Sequence, residues 1–265
     1  STVHNEVLEL GTRKTLEHDI VVNSQRPLRS TVGKPWYSYY VLKTNGIFQS
    51  QEEINNYKWT DPNTGLTNLI QPNAKPGDLR YVDFNNDGKI NSDDNQYMGS
   101  YMPKITFGFG GNLNYKNLDF SFQFQGVGKS TIYNAFKQMT LTGRQQGGNM
   151  LKDILNAWDY NHTSGIPRLA LVDDPNGNYT NPSDFYLEDG SYLRLKNLTL
   201  GYTLPQQWLN ALGLKKSTLR LYFNCENLFT ITDYTGIDPE VGNFGLDGGV
   251  YPVARSFTIG FNFGF

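Results

Sequence analysis

Hydrophobic and polar residues alternate along several segments of the chain, and this period of two is the pattern of a β-strand with two unlike faces. The last segment, ARSFTIGFNFGF, is the clearest case: one face is aromatic or aliphatic, at Phe257, Ile259, Phe261, Phe263 and Phe265. The other face carries serine, threonine, asparagine and glycine. Such a strip of apolar side chains can face a protein core or lipid, and the alternation alone does not decide between them.

The same alternation predicts further strands at residues 105–115, 118–125, 192–204 and 218–226, and less clearly at 3–10 and 34–44. Only Lys116 and Asn117 separate two of these segments, which predicts a tight hairpin. The phase of the alternation changes near Lys196, which predicts a β-bulge there.

The connections between these strands differ in length. Residues 116–117 and 205–216 are short connections, and the second of them predicts one helical turn. Residues 127–190 and 230–254 are long and rich in Gly, Asn, Asp and Pro; within them, residues 149–161 predict a helix. Short turns at one end of a sheet and long loops at the other are typical of a transmembrane β-barrel.

Two architectures remain open on this pattern, a soluble β-sandwich and a transmembrane barrel. The strands of a β-sandwich also alternate between apolar and polar side chains, and their apolar face lies in a core. The polar faces carry charged or amide side chains in mid-strand, at Asp119, Gln123, Arg220 and Glu226, which suits a hydrated lumen. Aromatic residues near the strand ends resemble the girdles of a membrane barrel.

Composition and charge narrow the range of function classes. Aromatic residues make up 14% of the 265 residues, charged residues only 18%, and 27 are glycine, which favours strands and turns. The net charge of −2 gives no reason to expect a nucleic acid as partner. Cys225 is the single cysteine, so no internal disulfide framework is expected. Neither a long apolar run nor a signal-peptide pattern is present in this sequence.

Several segments resemble the C-terminal part of the SusC/RagA family of TonB-linked outer-membrane proteins. The matching segments are KTNGIFQSQEEI (43–54), KPGDLRYVDFNNDGKINSDDNQYMGS (75–100), FSFQFQGVGKSTIYN (120–134), DGSYLRLKNLTLGYTLP (189–205) and NLFTITDYTGIDPEV (227–241). The resemblance extends over roughly residues 31–265 and includes the terminal strand with its final Phe265, which is similar to the signal recognised by barrel-assembly machinery.

This resemblance implies an all-β fold: an antiparallel transmembrane β-barrel segment of about eight strands from a larger barrel, with long extracellular loops. It implies import of oligosaccharides or peptides across the outer membrane of a Bacteroidetes bacterium, with a SusD-like surface lipoprotein and energy from TonB. Residues 1–265 would be the C-terminal part of the barrel. The family's plug domain and TonB box lie far N-terminal and are not in this chain, so we expect the plug and the remaining barrel strands to come from elsewhere, since unpaired strand edges are costly in lipid. The alternative is a soluble all-β calcium-stabilised carbohydrate-binding module.

Residues 83–94, DFNNDGKINSDD, fit the spacing of a calcium-binding loop. Oxygen ligands at alternate positions can wrap a hard cation while Gly88 permits the sharp bend. The candidate ligands are Asp83, Asn85, Asp87, Lys89 through its carbonyl, Asn91 and Asp94. Asp94 stands where such loops usually have Glu. The alternative is a metal-free cluster of Asx-turns.

No catalytic constellation is expected. His4, His18 and His162 have no zinc-type spacing, and adjacent Glu188 and Asp189 fit a solvated turn better than a glycosidase pair. The segment GVGKST (126–131) is similar to the end of a phosphate-binding loop but lacks that motif's first glycine, so nucleotide binding is not expected. The sequence therefore does not predict an enzyme.

Aromatic residues in the long loops are the candidate substrate contacts, because aromatic rings can stack on sugars or grip peptide side chains. They are Trp158, Tyr160, Tyr186 and Tyr234, with Tyr179 as a further candidate. The alternative role for each ring is packing of the loops against one another or against the lipoprotein.

Overall fold

The computed structural model describes residues 1–22, 25–142, 148–170 and 173–265. The strands in these ranges are β1 (Thr15–Glu17), β2 (Leu28–Thr31), β3 (Ser38–Val41), β4 (Thr44–Ile47), β5 (Lys58–Thr60), β6 (Thr67–Leu69), β7 (Leu79–Tyr81), β8 (Gln96–Ser100), β9 (Ile105–Tyr115), β10 (Leu118–Gly128), β11 (Thr131–Asn134), β12 (Leu187–Asp189), β13 (Tyr192–Thr203), β14 (Thr218–Glu226), β15 (Thr230–Thr232), β16 (Leu246–Asp247) and β17 (Ser256–Gly264). The α-helices are α1 (Gln51–Asn56), α2 (Ala135–Thr140) and α3 (Gln206–Ala211), and short 3₁₀ helices lie at Ser92–Asp94, Lys152–Asn156, Asp184–Tyr186 and Asn243–Gly245.

The main sheet contains five long antiparallel strands in the order β17-β14-β13-β10-β9, with β15 added beside β13. These five strands are 9 to 12 residues long, close to the length that crosses a hydrocarbon layer when the strand is tilted. Among the five long strands, neighbours in the sheet follow one another along the chain, as in an up-and-down barrel wall. The short strands β11, β12, β15 and β16 lie in the segments between them. The remaining strands are short and form four smaller sheets at the loop end.

The register of the main sheet places its apolar residues in rows on one face. One row runs across all five strands through Leu113, Phe120, Leu200, Phe223 and Ile259, each paired directly with the next. Directly paired residues of antiparallel strands point to the same side. The neighbouring row, on the other face, contains asparagine, serine and threonine side chains.

The apolar face of this sheet is not covered by the rest of the described chain. Ile259 is 85% exposed, Phe261 69% and Leu113 64%. A β-sandwich would bury this face against a second sheet, because uncovered apolar surface of this extent is unfavourable in water. The exposure of a continuous apolar face therefore favours lipid contact over a soluble core.

Both local irregularities predicted for this sheet are confirmed. Lys116 adopts φ 54° in the two-residue connection between β9 and β10. Gln123 on β10 pairs with Asn197 on β13, but the next residue, Phe124, pairs with Leu195. The register between the two strands therefore shifts here, and Lys196 is the extra, unpaired residue. This bulge keeps apolar side chains on one face along the whole of β13 despite the change of phase.

The loops at the other end of the sheet pack around a tyrosine-rich core. Tyr39, Tyr133 and Tyr186 have no exposed surface and lie in one cluster with Leu28 and Leu141. Their hydroxyls are not left unpaired: Tyr39 donates to Gly245 O at 2.8 Å and Tyr186 donates to Asn178 O at 2.8 Å. The buried hydroxyls thereby satisfy carbonyls of irregular backbone that has no strand partner.

Three expectations about the fold need correction or remain unconfirmed. The figure of about eight barrel strands is not confirmed: in the described residues five long strands form an open sheet, and β9 and β17 lie at its edges. Residues 3–10 do not form a strand. Residues 149–161 do not form an α-helix but one 3₁₀ helix, because Trp158 N bonds to Ile166 O at 2.9 Å and the chain is extended from Ala157.

The one helical turn predicted between β13 and β14 is confirmed as α3. Within the described residues, no helix is long and apolar enough to cross a membrane.

A charge placed on the apolar face tests its environment. We expect Ile259→Arg to reduce the folded chain recovered in the outer membrane strongly, because arginine at mid-depth of a lipid-facing strand costs about 2–4 kcal/mol. Thr258→Arg is the matched control on the polar face of the same strand and should be tolerated. Equal losses from both variants, measured by heat-dependent gel migration of membrane fractions, would contradict a lipid-facing strip.

Candidate functional site

The polar face of the main sheet carries an ion pair across three strands. Arg220 on β14 donates to Asp119 on β10 through two nitrogens, at 2.9 and 2.5 Å, passing over Gly201 on β13. A Cβ at Gly201 would lie 2.3 Å from an Asp119 oxygen, so only glycine leaves room for this pair. The sequence-based assignment of Asp119, Gln123, Arg220 and Glu226 to the polar face agrees with the register.

A second charged cluster lies where β13 meets the loop before β17. Arg194 is 3% exposed and pairs with Asp238 at 2.6 Å and with Glu240 at 3.2 Å. Lys196 contacts Glu240 at 2.7 Å, and the Tyr192 hydroxyl donates to Glu240, also at 2.7 Å. Burying a guanidinium is costly without partners, so this cluster holds the loop to the sheet.

The carboxyl groups of this cluster are held ionised. Burial raises the pKa of Asp238, but hydrogen bonds from Arg194 and from the Glu240 and Val253 backbone outweigh it, so that pKa lies below its ordinary value. Burial likewise raises the pKa of Glu240, and hydrogen bonds from Lys196 and Tyr192 together with the charge of Arg194 lower it overall. The cluster is thus stable as a set of charged groups.

Sequence reasoning missed this cluster, although a signal was present. Arg194 and Lys196 alternate on a strand that is otherwise largely apolar, and Asp238 and Glu240 alternate in the segment IDPEV. Matching periods of opposite charge in two segments indicate a cross-strand or strand-to-loop pairing. The pairing itself depends on how a loop of about twenty residues folds back, which the pattern does not fix.

The aromatic residues predicted as substrate contacts fall into two groups. Tyr160 is 81% exposed, while Trp158 beside it is buried and donates from its ring nitrogen to Gln49 Oε1 at 2.7 Å. Tyr186 and Tyr234 are buried, and the Tyr234 hydroxyl donates to Asp247 at 2.5 Å. Tyr179 is also buried in the loop core. Substrate contact stays a prediction for all of them; Tyr160 is the one whose ring is open to solvent.

The predicted calcium loop, residues 83–94, is compact and internally hydrogen-bonded. Asp83 accepts from Gly88 N at 2.8 Å, Asn85 accepts from Asp87 N at 3.0 Å, and Asp87 accepts from Lys89 N at 3.0 Å. Gly88 has φ +81° and lies against the ring of Trp59, so both its conformation and its lack of a side chain are needed.

The last predicted ligand of this loop, Asp94, is fully buried. Its oxygens accept from the backbone nitrogens of Phe84 at 2.8 Å and Asn91 at 2.9 Å. In the described part of the chain, no group of three or more His, Cys, Asp or Glu side chains is placed to hold a metal. The oxygen donors suit a hard cation in kind, but the three acids are not gathered around one point, so calcium binding stays a prediction.

Comparison with known proteins places the chain among outer-membrane receptors. A TonB-dependent receptor of Formosa agariphila is 35% identical over 278 residues, covering 99% of this chain and 26% of the receptor. SusC, a TonB-dependent receptor of Bacteroides thetaiotaomicron, is 31% identical over 197 residues, covering 74% of this chain and 18% of SusC. This chain belongs to the SusC/RagA family of TonB-dependent outer-membrane receptors.

The fold comparison agrees with this family. The solved RagAB peptide importer in its closed-closed state matches 97% of this chain and 25% of its own chain, with a TM-score of 0.67 and 25% identity. No family model matches the chain. The chain spans about a quarter of the length of the Formosa receptor. In an outer-membrane protein, the uncovered apolar face of the main sheet is the face toward lipid.

The charged cluster predicts a pH dependence of the loop at residues 233–255. Asp238 and Glu240 have pKa values below their ordinary 3.8 and 4.5, so their contribution to stability is complete above these values. It is lost as the pH falls through the lowered values, because the carboxylates must then take up protons that the unfolded loop binds more readily. Limited proteolysis from about pH 6 down to about pH 3 should show cleavage in this loop rising only below about pH 4.5.

The control for this experiment is Asp238→Asn, which removes one of the titrating groups. It should expose the loop to protease already at neutral pH and weaken the dependence on acid. A variant that leaves both the neutral protection and the acid profile unchanged would contradict the role of the cluster.

Proposed function

We propose that this chain is part of an outer-membrane TonB-dependent transporter that imports oligosaccharides or peptides. The observation that carries the proposal is the main sheet, whose apolar face is uncovered and whose opposite face is polar and charged. A wall of this kind separates lipid from a hydrated lumen. Similarity to SusC, a TonB-dependent receptor, supports TonB dependence, and similarity to the RagAB peptide importer supports import, with peptides as one class of cargo.

The partners follow from the same reasoning. A SusD-like surface lipoprotein would cover the loop end, and TonB would act through a plug portion of the same transporter. The two edges of the main sheet, β9 and β17, require further strands if the sheet is to lie in lipid, because each unpaired backbone group there costs several kcal/mol. We propose that the remaining barrel strands of the transporter pair with these edges.

The soluble carbohydrate-binding module is less favoured. A module of that class would need a cover for the aromatic strip of β17, and the described chain supplies none. The similar proteins named above are receptors and transporters, so no catalytic role is proposed.

Extraction and co-purification test the transport proposal. We expect the chain to leave washed envelopes only with detergent and to co-purify with a plug-bearing portion and a SusD-like lipoprotein. Cells with the locus deleted should lose uptake of the cognate oligomer, and cells lacking TonB should lose it equally. Recovery of the chain from washed cells without detergent would overturn the membrane assignment.

We propose in addition that residues 83–94 bind Ca²⁺ as a structural ion on the extracellular side. Chelation should make residues 77–98 more sensitive to protease, because the carboxylates of the loop would then repel one another without a cation. Asp87→Ala should show the same sensitivity without chelator. Mapping the cleavage sites by mass spectrometry is the measurement.

Asp61→Ala is the matched control for the calcium experiment. Asp61 also accepts a backbone N–H, from Asn63 at 2.8 Å, in a Gly-containing turn outside residues 83–94. Its removal should not mimic chelation. If chelation changes no cleavage, the metal proposal fails while the transport proposal is unaffected.

A further inference from the structure

The connection between β13 and β14 lies at the short-turn end of the main sheet and continues directly from its apolar face. Leu204 N bonds to Leu219 O at 2.8 Å, and Leu219 is paired with Phe263 on β17. Leu219 lies on the same face of β14 as Phe223, four residues further along, so these residues form the last apolar row before the turn. The helix α3 begins two residues after Leu204, at Gln206. It therefore starts at the rim of the lipid-facing surface.

Backbone hydrogen bonds fix the end of this short helix. Gly213 has φ +79°, a left-handed conformation that glycine adopts without strain. Gly213 N bonds to Asn210 O at 3.0 Å and Leu214 N bonds to Leu209 O at 2.9 Å, which is the Schellman pattern of a helix C-terminus. Leu209 is buried and α3 packs against β14, so the helix is held on the sheet. The connection is therefore a defined structure that presents its side chains in fixed directions.

Three apolar side chains of this connection are not covered by the described chain. Trp208 is 56% exposed and Leu212 is 70% exposed, and because they are four residues apart they lie on one face of α3. Leu214, just after the helix, is also exposed. The opposite face is polar: the Gln206 amide donates to Asn210 Oδ1 at 3.1 Å. A helix with tryptophan and leucine on one face and amides on the other is typical of a segment that lies in a membrane interface.

Basic residues lie beside this apolar face and have no acidic partner. Lys215 and Lys216 follow α3, and Lys116 lies in the neighbouring β9–β10 hairpin at the same end of the sheet. All three are exposed, and in the described part of the chain none pairs with a carboxylate. The sequence contains no Asp or Glu from residue 190 to residue 225. The positive charge at this turn is therefore not neutralised within its own segment.

The order of apolar and basic residues favours a lipid surface as the partner of this face. Residues 204–214 carry no charge, so the apolar surface of the sheet continues into α3 without interruption, and the lysine pair follows immediately. Lysine stems can lie along apolar surface while their ammonium groups reach phosphates. Short connections of outer-membrane barrels lie on the periplasmic side, where the adjacent membrane surface consists of phospholipid headgroups. Tryptophan is enriched at this headgroup level.

We propose that the connection 205–216 binds the phospholipid surface on the periplasmic side of the outer membrane. Trp208 and Leu212 lie among the headgroups and the upper acyl chains, and Lys215 and Lys216 donate to the phosphates of anionic lipids. The inference rests on the outer-membrane location of the family and not on the proposed transport function. The contact fixes the depth of the main sheet in the membrane from the periplasmic side, because α3 is held on β14.

Fluorescence quenching tests the position of α3 in the full-length receptor, reconstituted in lipid nanodiscs with Cys225 and any other reactive cysteine replaced. A small fluorophore is attached to Leu212→Cys. Asn210→Cys is the matched control, because Asn210 is also exposed but lies on the opposite face of the same helix. Lipids brominated on the acyl chain quench from within the membrane, and iodide quenches from water. We expect the brominated lipids to quench at Leu212→Cys about threefold or more as strongly as at Asn210→Cys, and iodide to show the reverse order.

The lipid preference at the same fluorophore tests the two lysines. In nanodiscs with equal amounts of phosphatidylglycerol and phosphatidylcholine, bromine on the anionic lipid should quench Leu212→Cys about twofold to fivefold more than bromine on the neutral lipid, since each lysine near an anionic surface contributes a factor of about five before screening. The double variant Lys215→Gln, Lys216→Gln should bring this ratio close to one. The matched control is Lys58→Gln, Lys152→Gln, which removes two exposed lysines from the loop end of the sheet and should leave the ratio unchanged.

Equal iodide quenching at both positions, with no quenching by brominated lipid at either, would overturn the proposal. Protection of Leu212→Cys from an aqueous thiol reagent in intact envelopes but not in nanodiscs would mean that a periplasmic protein covers this face, and would overturn it as well. An unchanged lipid ratio in the double variant Lys215→Gln, Lys216→Gln would overturn the assignment of these lysines to lipid phosphates. Neither readout involves uptake, so each of these failures would leave the transport proposal standing.

Discussion

The whole structure depends on the strict alternation of side chains across the five long strands. Because directly paired residues share a face, the register through Phe120, Leu200, Phe223 and Ile259 commits every strand to the same orientation. A shift by one residue in any strand would place aromatic rings in the lumen and amides in lipid. The bulge at Lys196 shows how strong this constraint is, since one residue leaves the pairing so that the apolar face continues.

In the loops, the main requirement is different: backbone groups that lie outside any sheet must still find hydrogen-bond partners. Buried tyrosine hydroxyls donate hydrogen bonds to loop carbonyls; the Tyr81 hydroxyl, for example, donates to Gly177 O at 2.9 Å. A buried polar network adds to this: Asp78 has no exposed surface, pairs with Arg168 at 2.6 Å and accepts from Asn178 at 2.7 Å. Removing one partner of such a network leaves a buried polar group unsatisfied, so the loops are expected to fold as a unit. Under the proposed transport function, such a preformed loop layer would suit recognition of cargo and of a partner protein.

The sheet was predictable from sequence and the loop layer was not. Period-two alternation, the Lys116–Asn117 hairpin and the phase change at Lys196 are local signals, and each has its counterpart in the fold. Whether Tyr186 is buried cannot be predicted from its neighbours in the sequence. An aromatic residue in a polar loop can be exposed, or it can pack into a core formed by distant segments. Only the fold shows that its hydroxyl meets Asn178 O and that its ring is buried.

For the candidate calcium loop, too, the local features were predictable from the sequence and the long-range ones were not. The spacing of residues 83–94 predicted a compact loop with a sharp bend at Gly88, and the bend is there with φ +81°. Whether the carboxylates gather around a cation depends on Asp94, which bonds to backbone nitrogens.

Thiol labelling along β17 tests the central claim most directly, in the full-length receptor with Cys225 replaced by Ser. Single cysteines at 257, 258, 259, 261 and 262 would be treated in intact outer membranes with a charged, lipid-insoluble thiol reagent. The structure predicts that Thr258→Cys and Asn262→Cys react, whereas Phe257→Cys, Ile259→Cys and Phe261→Cys stay unlabelled until detergent is added. Uniform labelling, or labelling of the aromatic positions alone, would contradict a strand with one face in lipid and one in a hydrated lumen.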